Sequence, residues 1–108
     1  MKVLVIGGEL KWAQKVVKRL RDASRGKLVI TEMNHLHMSK RRKWKHVSQK
    51  VGLVIVITDA VRHKHSDWAR YECKMKGIPL LEIPQRLSHA MKSIERFIAY
   101  INKSSKAG

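Results

Sequence analysis

Four of the six histidines stand in two His-x-His pairs, His35/His37 and His63/His65. Neutral imidazole is a good ligand for zinc and other transition metals. With Glu9, Asp59 or Asp67, the four rings could complete a metal site if the fold brings both pairs together. In so basic a chain the same pairs are also what solvated side chains look like. Asp59 follows Thr58 at the end of the apolar run 53–57, where an α/β fold presents a ligand-orienting or catalytic carboxylate. His63 could act as a base oriented by it; equally, Asp59 could accept hydrogen bonds from loop amides. Thr58 and Ser66 are the only nearby hydroxyls, and Ser66 has the type and position of a helix N-cap. Gly7-Gly8 could bring backbone amides close to a phosphate at a helix N-terminus, or could simply supply the positive φ of a tight turn. No third glycine follows Glu9, Leu10 and Lys11, so a dinucleotide fingerprint is not met.

The densest chemistry is the stretch HMSKRRKWKHVSQK, residues 37–50. As a helix capped by Ser39 it gives the core only Trp44, Val47 and Val51. Lys40, Arg41, Lys43, Lys45 and Lys50 then cover its solvent side, with Arg42 on the flank, each able to neutralise a phosphate and release counterions. Trp44 either staples this helix to the body or stacks on a base; Trp12, beside Lys11 and Lys15, is a second stacking candidate. Arg62 and Lys64 add charge in a neighbouring loop. An interfacial lipid-binding helix needs a broad apolar face that 39–50 does not have.

The whole chain supports that emphasis. Lys and Arg total 24 against 8 acids, a formal charge of +16 on 108 residues, and self-repulsion on this scale implies a polyanionic counterpart. The excess is lopsided: residues 1–54 carry 14 Lys/Arg and 3 acids, while residues 55–108 carry 10 and 5. A 44% hydrophobic share and this length fit one folded domain, 1–102, with a polar tail at 103–108. The longest aliphatic run is LVIVI at 53–57, far short of a membrane span. Gly7, Gly8 and Glu9 cut the first apolar run too early for a signal peptide. A lone cysteine, Cys73, excludes an internal disulfide, fits a reducing cytoplasm, and reads as a packed thiol.

The elements that must position these residues follow from apolar spacing. Residues 3–6, closed by Gly-Gly, form a strand buried on both faces. Leu10, Ala13, Val16, Val17 and Leu20 mark the buried face of a first helix, stopped by Gly26. Residues 28–30 make a short second strand, and 31–37 an irregular polar segment. The run 53–57 is a central strand, followed by a loop VRHKHS. Trp68, Ala69, Glu72, Cys73 and Lys76 line one side of the next helix, ended by Gly77 with Pro79 beyond. Residues 80–83 are the last strand. Leu87, Ala90, Met91, Ile94, Phe97, Ile98 and Ile101 form the cleanest amphipathic helix, whose stripe serves the core or also a second copy in a homodimer.

Alternating strands and helices predict a small Rossmann-like or flavodoxin-like three-layer α/β sandwich. Its four-stranded parallel sheet has order 2-1-3-4 and about four helices. Its working crevice lies past the carboxyl ends of the strands, at loops 7–9, 31–37, 58–66 and 84–88.

The segments KVLVIGGE, LVIVITDAVRHKHSDWARYECKMKGIPLLEI and RLSHAM resemble a family of small bacterial Rossmann-like domains of unknown function. The shared pattern is a strand ending in Gly-Gly, a buried strand ending T-D-x-V-x-H, and a G-I-P strand. The resemblance covers most of the chain, is specific at 2–9 and 53–83, implies the fold, and assigns no activity. The basic stretch 40–45 has no counterpart in it.

Two functions follow as expectations. One is a non-enzymatic nucleic-acid-binding module in which Lys40, Arg41, Arg42, Lys43, Lys45, Arg62 and Lys64 hold the phosphate backbone with weak sequence preference, and Trp12 or Trp44 stacks. The other is a small-ligand, nucleotide or metal-dependent phosphoester-processing domain working through Gly7, Gly8, Asp59 and His63. No cofactor is needed by the first. Zinc or another divalent metal, on His35, His37, His63 and His65, is the one left open by the second.

Overall fold

The structure, a computed structural model, describes residues 1–36 and 47–107. Strand β1 (Lys2–Ile6) leads through Gly7-Gly8 into helix α1 (Leu10–Ala23). Strand β2 (Glu32–Leu36) follows, then β3 (Val51–Ile57), a single 3-10 turn (Thr58–Ala60) and helix α2 (His63–Lys76). Strand β4 (Leu80–Ile83) and helix α3 (Leu87–Ala107) complete the order. All strand pairs are parallel and the sheet runs β2-β1-β3-β4, as the alternation of elements predicts.

Because successive strand residues point to opposite faces, the sheet sorts its apolar side chains into two cores. Val3, Val5, Leu53, Ile55, Ile57, Leu81 and Ile83 meet Ala13, Val16, Val17 and Leu20 of α1 and Ala90 and Ile94 of α3. Ile6, Val54 and Val56 meet Ala69 and Cys73 of α2, together with Val47, Val51 and Ile78. Helices α1 and α3 therefore cover one face and α2 the other. The stripe on α3 is used within the chain: Met91, Phe97, Ile98 and Ile101 all pack against the α1/α3 core.

Three expectations from the sequence need correction. The second strand is 32–36, not 28–30. Leu28 is buried in the α1/α3 core and Ile30 packs against it while Val29 faces solvent, an alternation that mimics a strand without any ladder. The true strand is an edge, paired only with β1, so Glu-Met-Asn-His-Leu can be largely polar. Thr31 bonds the Met1 carbonyl at the start of the sheet, which moves it to the edge opposite the expected crevice.

Second, VRHKHS is not a loop, because α2 begins at His63 and its N-cap is Arg62, with Ser66 inside the first turn. His65 fills the part that Glu or Gln takes in a capping box: its Nδ1 accepts the Arg62 N–H at 3.4 Å.

Third, no helix continues through residues 47–50, which are coil and turn, and Val51 opens β3. The described helices number three, and residues 40–45 of the expected fourth, with Trp44, His37 and Ser39, lie outside the described residues. Helix α3 runs on to Ala107 through the segment expected to be a tail. Among the described residues no helix is long and apolar enough to cross a membrane.

Candidate functional site

The carboxyl edge of the sheet gathers Gly7, Gly8, Thr58, Asp59, Ala60 and Gln85, as the topology requires, but its groups are engaged with one another. Gly7 has φ +93° and Gly8 φ +71°. A Cβ on Gly7 would lie 2.6 Å from Cγ1 of Val61, so Val61 already fills the space above the turn. The Gly7 amide donates to the Leu36 carbonyl at 3.0 Å and is thereby committed to the sheet. Both glycines thus form a turn with positive φ, and Val61 lies over Gly7.

Asp59 is likewise engaged. Its Oδ2 accepts the Gln85 N–H at 2.9 Å, and the Thr58 hydroxyl donates to the Ile83 carbonyl at 3.3 Å. Together they tie the turn after β3 to the end of β4. Accepting one amide is what a carboxylate at a loop junction does.

The histidines separate. The ring of His35 reaches the Gly7 carbonyl, with Nε2 at 3.0 Å. His65 is buried, 8% exposed, inside the first turn of α2. Its pKa is lowered first by burial and then by the neighbouring charges of Lys64 and Arg62, which keeps the ring neutral and able to accept the cap hydrogen bond. His63 is exposed on the same turn. Among the described residues no three of His, Cys, Asp and Glu come together as metal ligands; His37 lies outside them.

Trp12 is half-buried and packs on the α1/α3 core, which uses ring surface that stacking would need. Cys73 is buried and unpaired, its pKa pushed up to about 11 by burial, with the Glu72 carboxylate adding to the shift. Neither its burial nor its basicity suits a nucleophile.

Charge is the other feature of the described surface. Arg62 and Lys64 are exposed beside the first turn of α2. The outward side of α1 carries Lys11, Lys15, Lys18, Arg19 and Arg21 against a single acid, Asp22, with Arg25 and Lys27 just beyond its end.

Four of the acids are used elsewhere. Glu32 pairs with Lys2, Asp67 and Glu82 with Arg70, and Glu72 with Lys76. The Arg70 guanidinium grips Glu82 through two N–H donors, at 2.5 and 3.0 Å. Three of the eight acids are thus engaged within α2 and β4, and the outward cations of α1 are exposed.

The sequence pointed to Glu72 and Lys76 only as members of the inward side of α2. The structure adds their purpose. Glu72 is 3% exposed; it accepts the Val47 N–H at 2.7 Å and the Lys76 ammonium at 3.0 Å. Lys76 also donates to the Val47 carbonyl. The ion pair thus holds both backbone groups of Val47, the first described residue after the basic stretch. The signal in the sequence was Glu and Lys four residues apart on a face otherwise apolar.

No protein-family model matches this chain, and no curated protein matches it.

Proposed function

We propose that the protein is a non-enzymatic nucleic-acid-binding module that grips the phosphate backbone with little sequence preference. Residues Lys40, Arg41, Arg42, Lys43 and Lys45, with Arg62 and Lys64, form its principal contact, and Trp44 is its remaining stacking candidate. The observation that carries this reading is the contrast just described. At the carboxyl edge Val61 lies over Gly7, and Asp59 and Thr58 each make a hydrogen bond to the end of β4 or the residue just beyond it, so these groups already have structural partners. Meanwhile, among the described residues, Lys11, Lys15, Lys18, Arg19 and Arg21 of α1 and Arg62 and Lys64 of α2 are exposed. Leu36 and Val47, which flank the basic stretch, both pack on the α2 side of the sheet, the side on which Arg62 and Lys64 begin α2.

Binding to labelled single- and double-stranded DNA and RNA across a salt series tests it. With about seven phosphate contacts the logarithm of the association constant should fall with a slope of about −6 against the logarithm of salt on duplex DNA. Added zinc or chelator should leave it unchanged. Reversing four charges, K40E/R41E/K43E/K45E, should weaken binding by at least about 100-fold in moderate salt. Asp59→Ala should leave it intact. Binding lost in Asp59→Ala and kept in the charge-reversal variant overturns the reading in favour of a ligand site at the sheet edge.

A further inference from the structure

The cations of α1 lie on the opposite face of the sheet from α2, and nothing above uses them. Ala13, Val16, Val17 and Leu20 are buried, which fixes by complement what faces out: Lys11, Gln14, Lys15, Lys18, Arg19, Arg21 and Asp22, all exposed. Lys11, Lys15 and Lys18 repeat at helical spacing, so they stand in one row. The 14 residues of α1 span about 21 Å at 1.5 Å each; the next step of the row is Asp22, with Arg19 and Arg21 beside it, and Arg25 follows just past the helix end. Arg25 holds φ 52°, a left-handed conformation that Gly or Asn adopts at lower cost. The chain places an arginine there instead.

We propose that this face is a second, separate contact for double-stranded nucleic acid, so that one molecule holds two duplexes and bridges them. The inference rests on the reading of the α2 side as a nucleic-acid surface. The occupant follows from what the face lacks as well as from its charge. Outward side chains of α1 are polar throughout apart from Leu10 at its first position, 50% exposed, so there is no apolar band to sink into a lipid interface. The only aromatic of the helix, Trp12, is packed against the core, so there is no platform on which unpaired bases could stack. A row of cations without aromatics suits a regular array of phosphates, which a duplex presents along its backbone. The sheet lies between α1 and the first turn of α2 with its Arg62 and Lys64, so the two sets of cations face away from each other.

Energy transfer between two populations of a 12-base-pair duplex, one carrying a donor and one an acceptor, tests the proposal on the full chain. Transfer should rise as protein is added, pass a maximum, and fall when protein exceeds duplex, because each duplex then finds its own molecule. K15E/K18E/R21E should abolish the maximum while binding a single duplex within about threefold of wild type through the other face. A control at exposed positions off α1 and α3, K74E/R86E, set against K15E/K18E of equal charge change, should keep the maximum. Circular dichroism confirms that each variant is folded.

Bridging that survives K15E/K18E/R21E, that is lost equally in the control, or that is absent from the wild type overturns the inference, while the α2-side reading stands on its own salt series. Binding unaffected by both this variant and the quadruple reversal at 40–45 overturns that reading as well. Preference of α1 for anionic vesicles over duplex, lost in K15E/K18E/R21E, would make it a lipid-facing surface and equally end the proposal.

Discussion

Removing the Glu72 carboxylate is the sharpest test of how the α2 side is held together. In Glu72→Ala the Val47 N–H loses its acceptor in a buried setting, which costs about 1–3 kcal/mol. The Lys76 ammonium loses its counterion. Breaking a buried pair costs about 3–5 kcal/mol, but the Lys76 side chain is 17% exposed and keeps the Val47 carbonyl, so its share sits below that range. The two effects overlap in one network, and a total of about 3–4 kcal/mol is expected for Glu72→Ala. Glu72→Gln keeps an oxygen for Val47 and loses only the charge, so about 1–2 kcal/mol is expected. Against a typical stability of about 5–15 kcal/mol, the alanine variant should melt about 12 °C or more below wild type. Lys76→Met alone leaves the buried Glu72 carboxylate without its Lys76 counterion, whereas Glu72→Gln with Lys76→Met removes the charge as well, so the double variant should be the more stable of the two. Urea unfolding followed by far-ultraviolet circular dichroism, with the slope unchanged between variants, gives these numbers. Glu72→Ala within 1 kcal/mol of wild type, or a double variant no better than Lys76→Met, would refute the clamp.

Three further outcomes follow from the same geometry. Gly7→Ala should destabilise by about 1–3 kcal/mol, because φ +93° disfavours any Cβ and Val61 occupies the space; trimming Val61 to Ala alongside it should recover only part of the loss, leaving the backbone strain measurable by the same unfolding curves. His65 is kept neutral in the fold with its pKa below 6.5, so the unfolded chain binds the proton first as pH falls. Stability should therefore drop as pH falls through 6.5 toward the folded value and level off below it, and His65→Gln, which keeps a cap acceptor without titrating, should show a shallower fall in Tm between pH 7 and pH 5. The Cys73 thiol, at about 11 and buried, should react with a disulfide reagent at pH 8 at least about 100-fold more slowly in the native protein than in urea.

The parts of the fold that could be read ahead of the structure are those where burial on both sides demands a continuous apolar run or a full helical stripe. Residues 3–6 and 53–57 lie in the two inner strands, and Val3, Val5, Leu53, Ile55 and Ile57 have no exposed surface. Once their order was set by right-handed crossovers, the sheet followed. The edge strand β2 was misread because an edge strand is asked for less: its register with β1 is Val3 with Met33 and Val5 with His35, and a half-exposed partner need not be apolar. The start of α2 was misread for a related reason. Its start projects Arg62, His63 and Lys64 into water, so no stripe announces it, and its inward residues are polar: His65, serving as a cap, and Ser66.

The same asymmetry governs the candidate site. Composition revealed that a large charge had to go somewhere, and the basic stretch drew attention because it is continuous in sequence. The α1 row is discontinuous, with Val16, Val17 and Leu20 interleaved among its cations, and emerges only when the buried stripe is subtracted from the helix. A core stripe and a charged row on one amphipathic helix are two halves of a single pattern. The inward half is fixed by the hydrophobic effect, since burying Val16, Val17 and Leu20 stabilises the fold by roughly 1.5–3 kcal/mol each. The outward half is set by no folding requirement at all, and like charges at i and i+4, as in Lys11 and Lys15, are mildly destabilising. On the bridging proposal, binding of a duplex along α1 offsets that small cost, and in its absence K15E/K18E/R21E should be no less stable than wild type.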